Sequence, residues 1–468
     1  MRRDRCKHVV FYATLLALGG LCAFRTQLGE NGPATMAAAL LAFAILNWIL
    51  ETAPVAVVSL AVIAFVPCTG LMSFEAAVKG SFGNSIFGFF LGVLLMSFAF
   101  RDTDLGRLIS KGIFRLFGSR PRAIVLGIMI AGALLAMWVT EVAAAAIVFP
   151  IALSIWDKTG DRADHETLGR AMMLAVAWGC AFGGVATPIA TGANLIALNY
   201  LKEYCGISVS FGQWMTIGLP ICATLIAVGW LILSRPLKDG APLETGGEAA
   251  CFGRREKWLT VIFCCAVALW IFGGSFGLGS HHVALLCAVA LFLPGVEVVE
   301  WKKAIQNISW DSILLISAGV LIGDILYSSG VAETLARLFF VPALLQSGLL
   351  VRGVYIVLSV SVLKILFSSN TVSGVVLVPI MISLASAYGL SPWGLVAPCI
   401  FSSALSLIVI SSSPVNVIPY SARAFTPKDM AMYGGVMTLM TALIIGGWLA
   451  VALALAAGIG LQQARGKS

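Results

Sequence analysis

Ser369-Asn370-Thr371 and Ser412-Ser413-Pro414-Val415-Asn416 are polar clusters set inside long apolar runs. Their amide and hydroxyl groups can donate to a carboxylate or another small anion, or offer oxygens to a sodium ion. A helix break before Asn370 exposes the N-terminus of the helix that continues through Pro379. Free N–H groups and the positive dipole end attract an anion there. Single Ser and Thr residues often bond back to helix carbonyls within membranes, but runs this dense exceed what that role needs. Thr140-Glu141 interrupts an earlier apolar run, and Thr187-Pro188 with Thr191 and Asn194 interrupts another. An acid near mid-membrane costs about 2.5–3.5 kcal/mol on insertion scales, so Glu141 requires a counterpart. Lys364 precedes Ser369 by five residues, about 7.5 Å along a helix. A lysine there can stand in for a bound sodium ion, snorkel to water, or pair with an acid.

The elements that position these residues must lie in a bilayer. Of 468 residues, 59% are hydrophobic and 11% charged, and mean hydropathy is +0.97. Soluble chains carry about 25% charged residues, so a soluble enzyme and a disordered chain are both excluded. Long apolar runs, rather than short alternating ones, indicate an all-α polytopic membrane protein and not a β-barrel. The lipid bilayer is therefore a partner, and the cell (inner) membrane is the expected location. The net charge of +8 does not imply nucleic acid, because the basic residues lie in short loops, as topology signals do. The eleven cysteines form no CxxC pair and read as small buried hydrophobes. The four histidines lack ligand spacing, so no zinc site and no other cofactor is expected. No HExxH and no His-paired nucleophile is present, so the chain is not read as an enzyme. A channel would need a continuous polar stripe, whereas the polar clusters fall at two depths only.

The interruptions come in pairs. Thr140 and Ser369 are offset by 229 residues, Gly92-Val93-Leu94 and Gly319-Val320-Leu321 by 227, and Asn194 and Asn416 by 222. Pro150-Ile151 and Pro379-Ile380 each follow an interruption by ten residues. Duplicated halves with broken helices at matching positions point to a secondary transporter. The expected organisation is an N-terminal membrane helix in 1–30 with a cytoplasmic basic end, a first repeat in 31–235 with a re-entrant hairpin at 121–156, a cytoplasmic connector at 236–256, and a second repeat in 257–468 with a hairpin at 350–387. Counting 121–156 and 350–387 as hairpins places most of the 30 Lys and Arg residues in the cytoplasm. This gives about eleven spans, an inverted repeat, and a C-terminus outside. Amphipathic stretches at 104–117 and 331–345 precede the hairpins and can brace them.

With these landmarks in order, the sequence resembles the divalent anion/sodium symporter family. The family carries an S-N-T tip in each hairpin and a Thr-Pro or Ser-Pro loop ending in Asn. Ser369-Asn370-Thr371 fits the tip. Gly183-Gly184-Val185-Ala186-Thr187-Pro188-Ile189-Ala190-Thr191-Gly192-Ala193-Asn194 looks like the first loop, and Ser412 to Asn416 like the second. Asn47-Trp48-Ile49-Leu50-Glu51-Thr52-Ala53-Pro54, Phe90-Leu91-Gly92 and Trp310-Asp311 are similar to further family segments. The resemblance implies sodium- or exchange-driven transport of dicarboxylates, tricarboxylates or sulfate by a homodimer with an elevator motion. It implies substrate contacts at Asn370, Thr371, Thr191, Ser413 and Pro414. It also implies sodium near Ser369, Asn370 and Ser412, and near Thr140 and Ala186.

The first tip departs from the family, reading Thr140-Glu141-Val142. Three roles stand open for Glu141: a sodium ligand, a proton carrier, or a helix cap that occupies the place of one substrate carboxylate. The last would leave room for a substrate smaller or less charged than succinate.

Overall fold

The computed structural model describes residues 2–27, 32–160, 162–238, 242–243 and 251–465. Part of the expected connector, 239–241 and 244–250, and the chain end at 466–468 lie outside the described residues. Among the described residues there are helices and loops but no strand. Eight helices are long and apolar enough to cross a membrane, among them Ser85–Asp102, His165–Ala186, Phe211–Ser234 and Trp310–Ser328. Shorter apolar helices include Val55–Thr69 and Ser280–Ala290. The protein is therefore an all-α polytopic membrane protein.

Each half contains one helix pair broken at a polar tip. In the first, Pro121–Ala136 and Glu141–Asp157 are separated by residues 137–140. Thr140 adopts extended backbone and caps the second arm, its hydroxyl accepting from the Ala143 N–H at 3.4 Å. This is the standard role of a Thr at a helix N-cap. In the second pair, Leu349–Leu363 tightens into a 3₁₀ turn over Lys364–Leu366, the chain extends through Phe367 and Ser369, and Asn370–Tyr388 begins. The amphipathic stretches form the helices Leu105–Phe117 and Val331–Phe339, each preceding its pair. Both second-pair arms, taken as Leu349–Leu366 and Asn370–Tyr388, are long enough to span by themselves, so arm length alone does not make them re-entrant.

The central helix, His165–Ala186, is buried along nearly its whole length. It packs against both arms of the first pair. A Cβ added at Gly179 would lie 2.6 Å from the Met129 backbone, so glycine permits near contact of two helix backbones. Membrane helices, which lack a hydrophobic drive to associate, gain packing energy this way.

Across the halves the packing is reciprocal. The helix Gly192–Cys205 lies on Asn370–Tyr388 and Pro392–Ser403, and the short helix Pro414–Tyr420 lies on Glu141–Asp157 and His165–Ala186. The second arm of each broken pair is thus packed by a helix that follows the other pair in the chain. The first seam is tight, because a Cβ on Gly192 would come within 2.9 Å of the Thr371 hydroxyl.

Candidate functional site

The two tips meet through three buried side chains. Asn370 donates its amide N–H to Glu141 Oε1 and accepts at Oδ1 from Lys364 Nζ. Lys364 also donates to the Ser403 carbonyl. Ser406 Oγ donates to Asn370 Oδ1 at 3.3 Å, and the Asn370 amide reaches the Ala404 carbonyl at 3.3 Å. Glu141 is 8% exposed, Asn370 5% and Lys364 2%. A lone charge at such depth is strongly unfavourable, whereas opposite charges joined through hydrogen bonds are tolerated. Lys364 therefore does not snorkel. Its 3₁₀ turn and the extended residues after it fold the ammonium back onto the tip, closer than a straight helix would allow.

The two loops beside the tips are built alike. Asn194 Nδ2 donates to the carbonyls ten and seven residues earlier, Gly184 at 2.9 Å and Thr187 at 3.0 Å. Asn416 Nδ2 does the same to Ser406 at 2.6 Å and Val409 at 3.3 Å. Subtracting Asn194 from Asn416, Gly184 from Ser406, and Thr187 from Val409 gives 222 each time. Carbonyls freed by unwinding have no water to turn to in the membrane, and one amide satisfies two of them. Thr187 also donates to the Met137 carbonyl, which satisfies a group at the first break.

A cavity of about 420 Å³ lies between the tips. Thr140, Glu141, Thr191, Ser369, Asn370, Thr371 and Pro414 line it. Helices begin at Glu141, Gly192 and Asn370 on its wall, so their positive ends converge where an anion would sit. Phe90, Leu94 and Phe98 supply an apolar side, and Arg101, Asn307 and Ser309 extend the lining. Arg101 is the only cation among the lining residues. Glu141 Oε2 has no hydrogen-bond partner among the described residues. A shallower cavity of about 490 Å³ lies beside Asp102, Arg255 and Lys303. Both cations there already bond to Asp102, so that cluster braces the end of Ser85–Asp102 against the helices Arg254–Phe272 and Trp301–Asn307.

Four site residues from the sequence need separate statements. Ser413 is buried and accepts from the Val415 N–H at 3.4 Å, as a cap of the short helix. Ser412 faces the Lys364 side, with its carbonyl accepting from Ser406 at 3.3 Å. Ala186 ends the central helix and is buried away from the cavity lining. Ser369 lines the cavity but makes no side-chain cap. Sequence reasoning missed Ser97, whose hydroxyl accepts from the Thr140 N–H at 3.4 Å. It also missed Ser403 and Ser406, although the run Ser402-Ser403-Ala404-Leu405-Ser406 was a visible polar interruption.

Comparison with known proteins follows the same outline. The family model described as "Sodium:sulfate symporter transmembrane region" matches residues 9–455. The sodium-dependent dicarboxylate transporter SdcS of Staphylococcus aureus strain USA300 is 25% identical over 433 residues, covering 85% of this chain and 82% of that protein. SdcS of strain COL matches to the same extent. Among solved structures, the YdaH transporter of Alcanivorax borkumensis superposes with a TM-score of 0.56 at 15% identity, over 82% of this chain and 88% of that one. That likeness is one of fold. Taken with the duplicated broken helices and the buried polar tips, the family match over nearly the whole length means that the chain belongs to the divalent anion/sodium symporter family and is a multi-pass transporter of the cell membrane.

Proposed function

We propose that the protein is a secondary active carrier of small anions of the dicarboxylate class, coupled to sodium. The observation that carries this reading is the meeting of the two polar tips around a cavity whose wall holds the helix starts at Glu141, Gly192 and Asn370. Asn370, Thr371 and Thr191 hold the anion, Pro414 shapes one side, and Ser413 fixes the loop behind it. Sodium binds beside the first tip, near Thr140, the Ala186 carbonyl and Glu141. The halves form an inverted repeat with about eleven spans and two re-entrant hairpins. This arrangement is favoured by the tip-to-tip hydrogen bond and the reciprocal packing on the second arm of each pair. The tips and their covering helices move together as an elevator against the remaining helices, in a homodimer. SdcS, a sodium-dependent dicarboxylate transporter by name, supports the substrate class and the coupling ion.

A second reading narrows the substrate. The Asn370 amide, a donor suited to a substrate carboxylate, is already bonded to Glu141. A chain carboxylate in that place favours an anion smaller or less charged than succinate, carried with sodium, with a proton or by exchange.

Purified protein in liposomes, offered a panel of dicarboxylates, tricarboxylates and sulfate under separate sodium, proton and exchange gradients, tests both readings. Saturable uptake of a small carboxylate, with counterflow, is expected. Unsaturable flux without counterflow would indicate a channel.

A further inference from the structure

The Lys364 ammonium sits among oxygens of the kind that bind a hard cation. Asn370 Oδ1 and the Ser403 carbonyl accept from it, and the Ser406 hydroxyl bonds to the same Asn370 oxygen. Carbonyl, carboxamide and hydroxyl oxygens are ligands suited to an alkali or alkaline-earth ion. The chain itself delivers the charge to this point. The space left beside it, walled by Ser361, Leu405, Ser406, Ser412 and Thr438, is about 10 Å³, enough for about one water. At the first tip the offset of 229 brings Leu135 to the place of Lys364. Among the described residues that tip has no lysine of its own, and Glu141 Oε2 there has no hydrogen-bond partner. The two tips are thus unlike in charge, although their backbones break at matching positions.

We infer that Lys364 is a tethered cation that permanently fills the ion position beside the second tip, so that sodium binds beside the first tip alone. The inference rests on reading the tips as a cation-coupled anion site, and it sets the number of ions that the carrier can use.

Binding of radiolabelled sodium to the purified protein tests it. The wild type should saturate at no more than one ion per chain, and Lys364→Met should bind one ion more. It should also gain a sodium-dependent rise in Tm that potassium and choline do not give. Removing the ammonium leaves Glu141 unbalanced, so Glu141→Gln/Lys364→Met is compared with Glu141→Gln in case the single variant fails to fold. Two ions bound per wild-type chain would overturn the inference, as would an unchanged sodium count in the folded variants. Should no variant fold, the wild-type count decides. Failure of the anion-site reading is told apart by substrate binding, which would then be indifferent to Asn370→Ala whatever the sodium count.

Discussion

Glu141 and Asn370 are 229 residues apart, the same offset that relates Thr140 to Ser369, and they hydrogen-bond to each other. Residues related by that one offset therefore meet where the two tips touch. One is an amide and the other a carboxylate. Without its partner across the interface, either would be a buried polar group with an unmet requirement. The contact fixes the distance between the tips and, with Lys364, balances charge inside the membrane.

Asn370→Ala should weaken substrate binding at least tenfold and, because it takes a partner from both Glu141 and Lys364, lower the Tm of a protein that still inserts and elutes as one species. A donor to a charged partner is worth about 1.5–3 kcal/mol, which is roughly one to two orders of magnitude in affinity. Equilibrium binding of the transported anion measures the effect. Unchanged affinity in a well-folded variant would remove Asn370 from the anion site.

Asn194→Ala and Asn416→Ala should destabilise the protein by similar amounts, since each amide serves two carbonyls at the same spacing. Leaving buried carbonyls unpaired costs about 1–3 kcal/mol per group. Thermal unfolding in detergent should show a lowered Tm for both, with loss of transport at growth temperature. A large effect in one variant and none in the other would mean that the two loops do not bear equivalent loads.

The expected topology has a direct readout in Cys251, which is exposed at the end of the connector. In a variant whose other cysteines are replaced, an impermeant thiol reagent should reach Cys251 only after cells are opened. Labelling of intact cells would place the connector outside and reverse the orientation read from the basic loops.

Helices and their interruptions were legible because an apolar run of fixed length and a polar break within it are local features of the sequence. The equivalence of the loops was legible from Asn194 and Asn416, and their matched hydrogen bonds give that spacing a physical reason. The contact between Glu141 and Asn370 was not legible, because nothing local links residues so far apart. The choice among the roles open to Lys364 was not legible either, since the 3₁₀ turn over Lys364–Leu366 leaves no mark in residue types. Arg101 belongs to the basic residues that act as topology signals in the sequence and Phe98 to a plain apolar run, and no residue type marks that both line the cavity.

Glu141→Asn tests whether the carboxylate narrows the substrate range. The substitution restores the amide found in the family's tip and frees the Asn370 amide from Glu141. It also leaves Lys364 without its counter-charge, and removing one partner of a buried pair costs about 3–5 kcal/mol. In the absence of substrate the variant should therefore unfold at a lower temperature than the wild type. A dicarboxylate can supply the missing negative charge, so succinate or citrate should raise the Tm of the variant more than that of the wild type. Uptake of these larger anions should rise in parallel. Glu141→Asn/Lys364→Met, which lacks both charges, separates the two effects. It should regain stability without substrate, because no charge is left unbalanced, while retaining the enlarged site. If neither variant binds dicarboxylates better than the wild type, Glu141 does not stand in for a substrate carboxylate, and its bond to Asn370 serves only to hold the tips together.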